Sequence, residues 1–473
     1  MATFFTPTPK KSKSQGKNKA FELTIDAHDH AGNGLCLSSN PITIVPDALI
    51  GERCLVWFSK QTKKVNFAEI SKVVEPSRLR TLPFCEYYEH CGGCSLQHTN
   101  AKHGLALKQK ALKDYVTKQL KLARTFSNST AWEMPVLSAI DYNENPVNTR
   151  YRRRVRLALD ARNKDNIKIG FRARRSDAIV DIPKCAIASS MINDCLPALR
   201  QALVRLPSIH KIGHIVITEG ETALQVALFI SRDLCKKSYA KLSALAQMLT
   251  IDIVVKSKGN DDICIHVNNA SGEISDKAQK RFSNSAVVIE DMPGVKLGIE
   301  SAHFLQINKT VNQGLIKKVK TWLAPEKKHT LYDFYCGSGN FAFCLAKYVN
   351  SVQGFEGVAA MVEVATLNAS VMAVDNCHFS LMDLSASPDL EKLSFAENAI
   401  AILDPSREGA LELCQFLASR GIEKIVYVSC NPNSFARDAQ YLLPYYELSK
   451  IATLDMFPFT KHIEVMALFT LHK

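Results

Sequence analysis

Thr330–Phe334, Ser351–Glu356, Ala399–Leu403 and the run from Ile425 to Ser429 are short, apolar and separated by helix-length stretches. Apolar runs of this length, each closed by a turn signal, predict buried strands. Their alternation with helices predicts a parallel sheet with helices covering it, beginning near residue 296. In such a sheet ligands bind outside the carboxyl ends of the strands. What stands at those ends is therefore where chemistry is to be sought.

The last run ends Ser429-Cys430-Asn431-Pro432. Asn-Pro stops the strand at once and leaves a cysteine at its carboxyl end. Taken alone, such a thiol is more often a buried structural group than a nucleophile. The Ala399–Leu403 run leads into Asp404-Pro405-Ser406-Arg407, which reads either as a turn or as pocket lining at the same sheet edge.

The first run continues as Phe334-Tyr335-Cys336-Gly337-Ser338-Gly339-Asn340-Phe341, a strand entering a Gly-rich turn and then a helix. Glycines there let a ligand approach the backbone. The turn is neither GxGxxG nor a P-loop. Glu356 closes the second run about twenty residues on, where a ribose hydroxyl is commonly held. With acidic Asp333 beside the turn, the set suits S-adenosylmethionine, which has a cationic end, better than a phosphate-bearing nucleotide.

Fourteen cysteines without an apolar secretory leader predict a cytoplasmic setting with reduced thiols. Cys85, Cys91 and Cys94 fall within ten residues, and Cys185 follows a strand-like run downstream. Four thiolates suit tetrahedral zinc or an iron–sulfur cluster. Zinc sites usually pair two CxxC-like knuckles, so this uneven spacing leans towards iron–sulfur.

No run is long enough to span a membrane. The net charge of +13 points to a polyanionic partner. Residues 1–20 read as a disordered basic arm, with Lys10, Lys11, Lys13, Lys17 and Lys19 and no acidic residue. Residues 21–77 show short strands broken by Gly and Pro, as in an OB-like β-barrel that binds oligonucleotides. Residues 78–290 read as a central mixed α+β domain carrying the cysteines, and 291–473 as a Rossmann-like α/β domain. A helix over 101–122 is expected to pack on the latter. Between Arg150 and Arg175, eleven Lys/Arg face two acids. Arg150, Arg152, Arg153 and Arg154 are the candidate phosphate contacts, with Tyr151 and Phe171 interleaved.

Taken together, the motifs Phe304-Leu-Gln306-Ile-Asn308, Asp333 to Phe341, Asp404-Pro-Ser-Arg407, Ser429-Cys430-Asn431-Pro432 and Phe457-Pro-Phe-Thr-Lys-His462-Ile-Glu464 resemble the RNA (uracil-5-)-methyltransferase family over nearly the whole chain. The resemblance implies an N-terminal TRAM domain and a [4Fe-4S] cluster on Cys85, Cys91, Cys94 and Cys185, both features of the 23S rRNA branch. It further implies Cys430 as nucleophile and Glu464 as base. S-adenosylmethionine would be bound by Gln306, Phe334, Tyr335, Gly337, Gly339, Asn340, Glu356 and Asp404. The implied partner is 23S rRNA, with a monomer as the default state. Where the family has Asp-Pro-Pro-Arg this chain has Ser406, and the lost ring should loosen the turn. A non-catalytic ribosome-assembly factor, a tRNA-modifying sibling and a radical S-adenosylmethionine enzyme are the competing readings.

Overall fold

The structure is a computed structural model that describes residues 19–123, 126, 129–138, 149–257, 262–265 and 286–472. The basic arm expected over 1–20 falls outside these residues up to position 18. By its internal contacts the chain divides into two compact units, 1–80 and 81–473.

The first unit is a six-stranded sheet in the order Phe21–Thr24, Arg53–Gln61, Asn66–Glu75, Thr43–Val45, Gly34–Cys36, Ala27–His28. Alternating side chains put Ile25, Val45, Cys54 and Val56 into one small core. Glu52 is fully buried and is neutralised within the unit by Arg80, whose Nε and NH2 donate to it at 2.5 and 2.7 Å.

The second unit holds two seven-stranded sheets. The first runs Ile263–Ile265, Asp252–Ser257, Leu224–Ile230, Ile212–Glu219, Arg154–Asp160, Lys168–Arg172, Ile179–Asp181. Helices Ser190–Val204 and Lys236–Leu249 pack their apolar sides into its core through Leu196, Leu199, Leu242 and Leu245.

The second sheet runs Cys377–Leu381, Ser351–Glu356, Thr330–Phe334, Ala399–Leu403, Lys424–Ser429, Glu464–Leu471, Tyr446–Leu454. Its first five strands are parallel, and Glu464–Leu471 enters antiparallel to both of its neighbours. All five residues of Thr330–Phe334 and of Ala399–Leu403 are buried, as expected of central strands covered on both faces. Helices Lys309–Leu323 and Asn340–Ala346 contribute to one core, and helix Ala101–Gln119, through Leu112 and Val116, joins the other. Strand order reverses between Thr330–Phe334 and Ala399–Leu403. That is the point where an open α/β sheet forms a crevice at its carboxyl edge.

Candidate active site

Three turns leave this edge together. After Phe334 the chain passes through left-handed conformations at Tyr335 (φ 61), Gly337 (φ 56) and Gly339 (φ 93). A Cβ on Gly339 would lie 2.2 Å from the Phe343 ring, so only glycine fits. Glu356 braces the turn, its Oε2 accepting from the Gly337 amide at 3.1 Å and its Oε1 from that of Val358 at 3.0 Å. Asp404 follows the strand Ala399–Leu403 and accepts from Gln306 Nε2 at 3.5 Å. At Ser406, the hydroxyl accepts from the Glu408 amide at 3.4 Å and the carbonyl from the Gly409 amide at 3.0 Å, so hydrogen bonds hold the turn where the family's second proline is missing.

A cavity of about 480 Å³ opens where these turns meet. Cys430, Glu464, Gln306, Tyr335, Gly337, Asn340, Glu356 and Asp404 all line it. Phe334 and Gly339 are not among its lining residues. The Phe334 ring points to the opposite face of its strand, against Phe355 at 5.4 Å between centroids. Gly339 serves the turn geometry.

The electrostatics are those of a site short of cations. Burial pushes the Glu464 carboxyl up to about 8, with nearby Asp404 adding to the shift. Burial likewise raises Asp404 to about 7. Asp333 lies beneath the turn and is raised to about 8 by burial, then by Asp404 and Glu356. Its Oδ2 accepts from the Ala342 amide at 2.9 Å, while Oδ1 has no partner among the described residues. Burial raises the Cys430 thiol too, Glu464 and Asp404 adding to it while Arg407 opposes.

Arg407 Nη2 meets His462 Nδ1 at 3.2 Å, and both line the cavity. Burial, then Arg407, lowers His462 to about 4, so the ring is neutral and able to accept a hydrogen bond. Neither residue was singled out from the sequence, although both lie inside motifs that were. Asn312 and exposed Phe304 also line the cavity. Asn312 had no local signal, since helical position alone brings it to Asn340, with which it exchanges hydrogen bonds of 2.9 and 3.0 Å.

The arginine stripe divides. Arg153 is buried and binds Asp291 with both terminal nitrogens, at 2.5 and 2.7 Å, and the Gln306 carbonyl with Nε at 2.9 Å. Arg154 donates to Thr218 Oγ1 at 2.8 Å and to the His303 carbonyl at 2.5 Å. The expected RNA contact is therefore corrected for these two, because their guanidinium groups are committed to partners inside the protein. Arg150 remains exposed. Arg152 is half-buried beside the cysteines.

Cys85, Cys91, Cys94 and Cys185 line one further cavity of about 160 Å³ with Tyr87, Tyr88 and Phe171. Burial pushes Cys94 up to about 12, and Cys185, Cys91 and Cys85 each add to it. Among the described residues, no three or more His, Cys, Asp or Glu close tightly enough to hold a single metal ion. Arg174 donates to the Cys94 carbonyl at 2.9 Å and lies over the Tyr88 ring, securing the knuckle from outside.

The family model described as tRNA (Uracil-5-)-methyltransferase matches residues 114–472. The 23S rRNA (uracil(1939)-C(5))-methyltransferase RlmD of Alteromonas mediterranea is 34% identical over 449 residues, covering 95% of this chain and 87% of that one. The protein of the same name from Shewanella piezotolerans is 35% identical over the full length of both. The crystal structure of Pyrococcus abyssi tRNA (uracil-54, C5)-methyltransferase in complex with S-adenosyl-L-homocysteine shares the fold. Its TM-score is 0.67 and its identity 24%, covering 95% of this chain and 99% of that one.

Proposed function

We propose, for a chain that belongs to the RNA (uracil-5-)-methyltransferase family, that it transfers a methyl group from S-adenosylmethionine to C5 of a uridine in 23S rRNA. The observation that carries this reading is the convergence of Cys430 and Glu464 with the Gly337 turn and Glu356 in one cavity. Its volume of about 480 Å³ suits a small-molecule site. The left-handed glycine turn, Glu356 at its rim and the partnerless Asp333 oxygen fit a nucleoside bearing a cation. Gln306, Tyr335, Gly337, Asn340, Glu356 and Asp404 would hold the cofactor, which supplies an electrophilic methyl.

Uracil C5 is too poor a nucleophile to take that methyl unaided, and covalent catalysis removes the difficulty. The Cys430 thiolate adds to C6 of the uracil, and the electron pair moves to C5, with negative charge developing on O4. Arg407, whose charge already favours the thiolate, is placed to support it. Once C5 carries the methyl, Glu464 takes the C5 proton and the C6–sulfur bond breaks, returning Cys430. Burial raises the affinity of the Glu464 carboxylate for a proton, and the positive charge of a bound cofactor would favour the ionised form that accepts it. The uridine must leave its stack to reach this cavity.

We assign a [4Fe-4S] cluster to the four-thiol cavity, whose cysteines supply the thiolates that such a cluster takes. A zinc–sulfur bond of ~2.3 Å puts tetrahedral thiolates only about 3.8 Å apart, whereas a cluster carries its cysteines on the outer corners of a cube. We assign the six-stranded unit as a TRAM-like RNA-binding module, and the protein as a cytoplasmic monomer. Among the described residues no helix is long and apolar enough to cross a membrane.

Methyl transfer from labelled S-adenosylmethionine to unmodified 23S rRNA and to unmodified tRNA, with Cys430→Ala as control, tests the assignment. Label on 23S rRNA alone, lost in the variant, is the expected result. Label on tRNA would move the substrate class, and label on neither would make this an assembly factor.

A further inference from the structure

The loop from Phe457 to Ile463, which leads into Glu464, offers several of its carbonyls to groups from distant parts of the chain. Tyr151 Oη donates to the Pro458 carbonyl at 3.1 Å. The amides of Ser95 and Leu96, immediately after Cys94, both donate to the Phe459 carbonyl, at 2.9 and 3.0 Å. Lys108 Nζ, on helix Ala101–Gln119, donates to the carbonyls of Thr460 at 3.1 Å and His462 at 2.8 Å. Four carbonyls of one short loop are thus satisfied from three separate segments.

Side chains repeat the pattern. Phe459 stands edge-on to Phe84 at 4.9 Å and shares an apolar cluster with Ala101 and Ile187, against which Cys94, Cys185 and Tyr151 pack. Its φ of 61 is a conformation a bulky residue keeps only when its surroundings over-determine it. Lys108 is only 2% exposed, and a lysine this deep is uncommon unless its ammonium has specific acceptors. It does not line the cavity of Cys430 and Glu464, so substrate contact does not account for it.

We propose that Lys108 is a positioning residue for the proton-removal step, holding the 457–463 loop so that Glu464 faces C5, with the segment that follows Cys94 as the second point of the grip. The inference rests on the covalent scheme proposed above. It gives the cysteine knuckle a task at the active site: the cradle of thiols anchors the strand of chain that hands two amides to Phe459. Nucleophilic addition is left to Cys430, which stands at the end of the neighbouring strand.

The test is Lys108→Met, which keeps the aliphatic stem and removes both donations, compared with Glu464→Gln and the parent enzyme. Three quantities are read: kcat and KM for RNA, the fraction of protein in a covalent RNA adduct, and hydrogen exchange of the peptide over 457–464. Misplacing a catalytic group by about 1 Å costs on the order of 100-fold. The expected result is a kcat lowered by about that factor, an RNA KM near that of the parent, adduct accumulation as in Glu464→Gln, and faster exchange confined to the loop. A lysine serving stability alone would lower adduct and turnover together. Turnover within about twofold of the parent, or adduct lost where Glu464→Gln retains it, overturns the proposal. If Glu464→Gln itself forms no adduct, the covalent scheme has failed, and loop exchange decides the grip separately: unchanged exchange overturns it. Should Lys108→Met not fold, Tyr151→Phe removes one hydroxyl bond to the same loop, and the same readouts decide.

Discussion

Cys430 and Glu464 stand at the same end of one antiparallel strand pair. Ser429 is in register with Val465, and Cys430 and Glu464 are the next residues outward on the two chains. Their spacing is therefore set by the ladder of a buried sheet, which leaves the loop before Glu464 to direct its carboxyl. A nucleophile and a base that act in sequence on adjacent carbons of one ring need such a fixed spacing.

Substituting the two separates their roles. Cys430→Ala abolishes methyl transfer while melting within a few degrees of the parent, because the thiol is only half-buried at the end of its strand. Glu464→Gln allows addition but blocks proton removal, so a protein–RNA adduct resistant to denaturant accumulates, visible as a shifted band on a gel. Normal methylation by Cys430→Ala would sink the covalent scheme.

Glu464 and Asp404 make the ligand-free protein sensitive to alkali. Their ordinary values are 4.5 and 3.8, and burial raises them to about 8 and about 7. A raised carboxyl is protonated in the fold at pH values where the unfolded chain has already ionised. Its contribution to stability is complete below about pH 4 and is lost as pH rises through about 8. The melting temperature should therefore fall between pH 5 and about pH 8.5, beyond the trend of Glu464→Gln, whose amide does not titrate. Parallel curves for the two proteins would contradict the assignment.

Arg153 and Arg150 should behave oppositely despite standing three residues apart. Arg153→Ala leaves Asp291 buried without its partner, which costs about 3–5 kcal/mol. Chemical denaturation should show that loss directly. Arg150→Gln, at an exposed site, should leave stability unchanged, weaken RNA binding and lower the salt slope by about one. Binding unchanged across several salt concentrations would take Arg150 out of the RNA interface.

The cysteine cavity predicts close to four iron and four sulfide per chain in anaerobically purified protein, with zinc absent. Cys94→Ser, removing one of the four thiols that line the cavity, should lose most of that iron. One zinc per chain and no sulfide would replace the cluster by a tetrahedral ion.

Much of the site was legible because its chemistry is carried by short contiguous motifs. The Gly337 turn, Asp404, Cys430 and Glu464 each end or begin a buried strand, and apolar runs closed by turn residues announce such ends. Two residues of the arginine stripe depart from the expected surface role for a physical reason. Arg153 and Arg154 look like a surface charge run, but both are drawn inward, Arg153 by Asp291, well over a hundred residues away, and Arg154 by the His303 carbonyl. Lys108 was invisible for the same reason, since its acceptors are backbone carbonyls more than 350 residues on, and a carbonyl has no signature in sequence.

What the chain determined by itself was local: which runs are strands, which turns require glycine, and which residue types stand at strand ends. These follow from side-chain periodicity and steric limits that act over a few residues. Only the tertiary structure decided which ends meet. It entered Glu464–Leu471 antiparallel beside Lys424–Ser429, brought Ser95 and Lys108 onto the loop before Glu464, and set two carboxyls and a thiol on one cavity. Long-range pairing and desolvation depend on what packs nearby, and no short stretch of sequence specifies its neighbours.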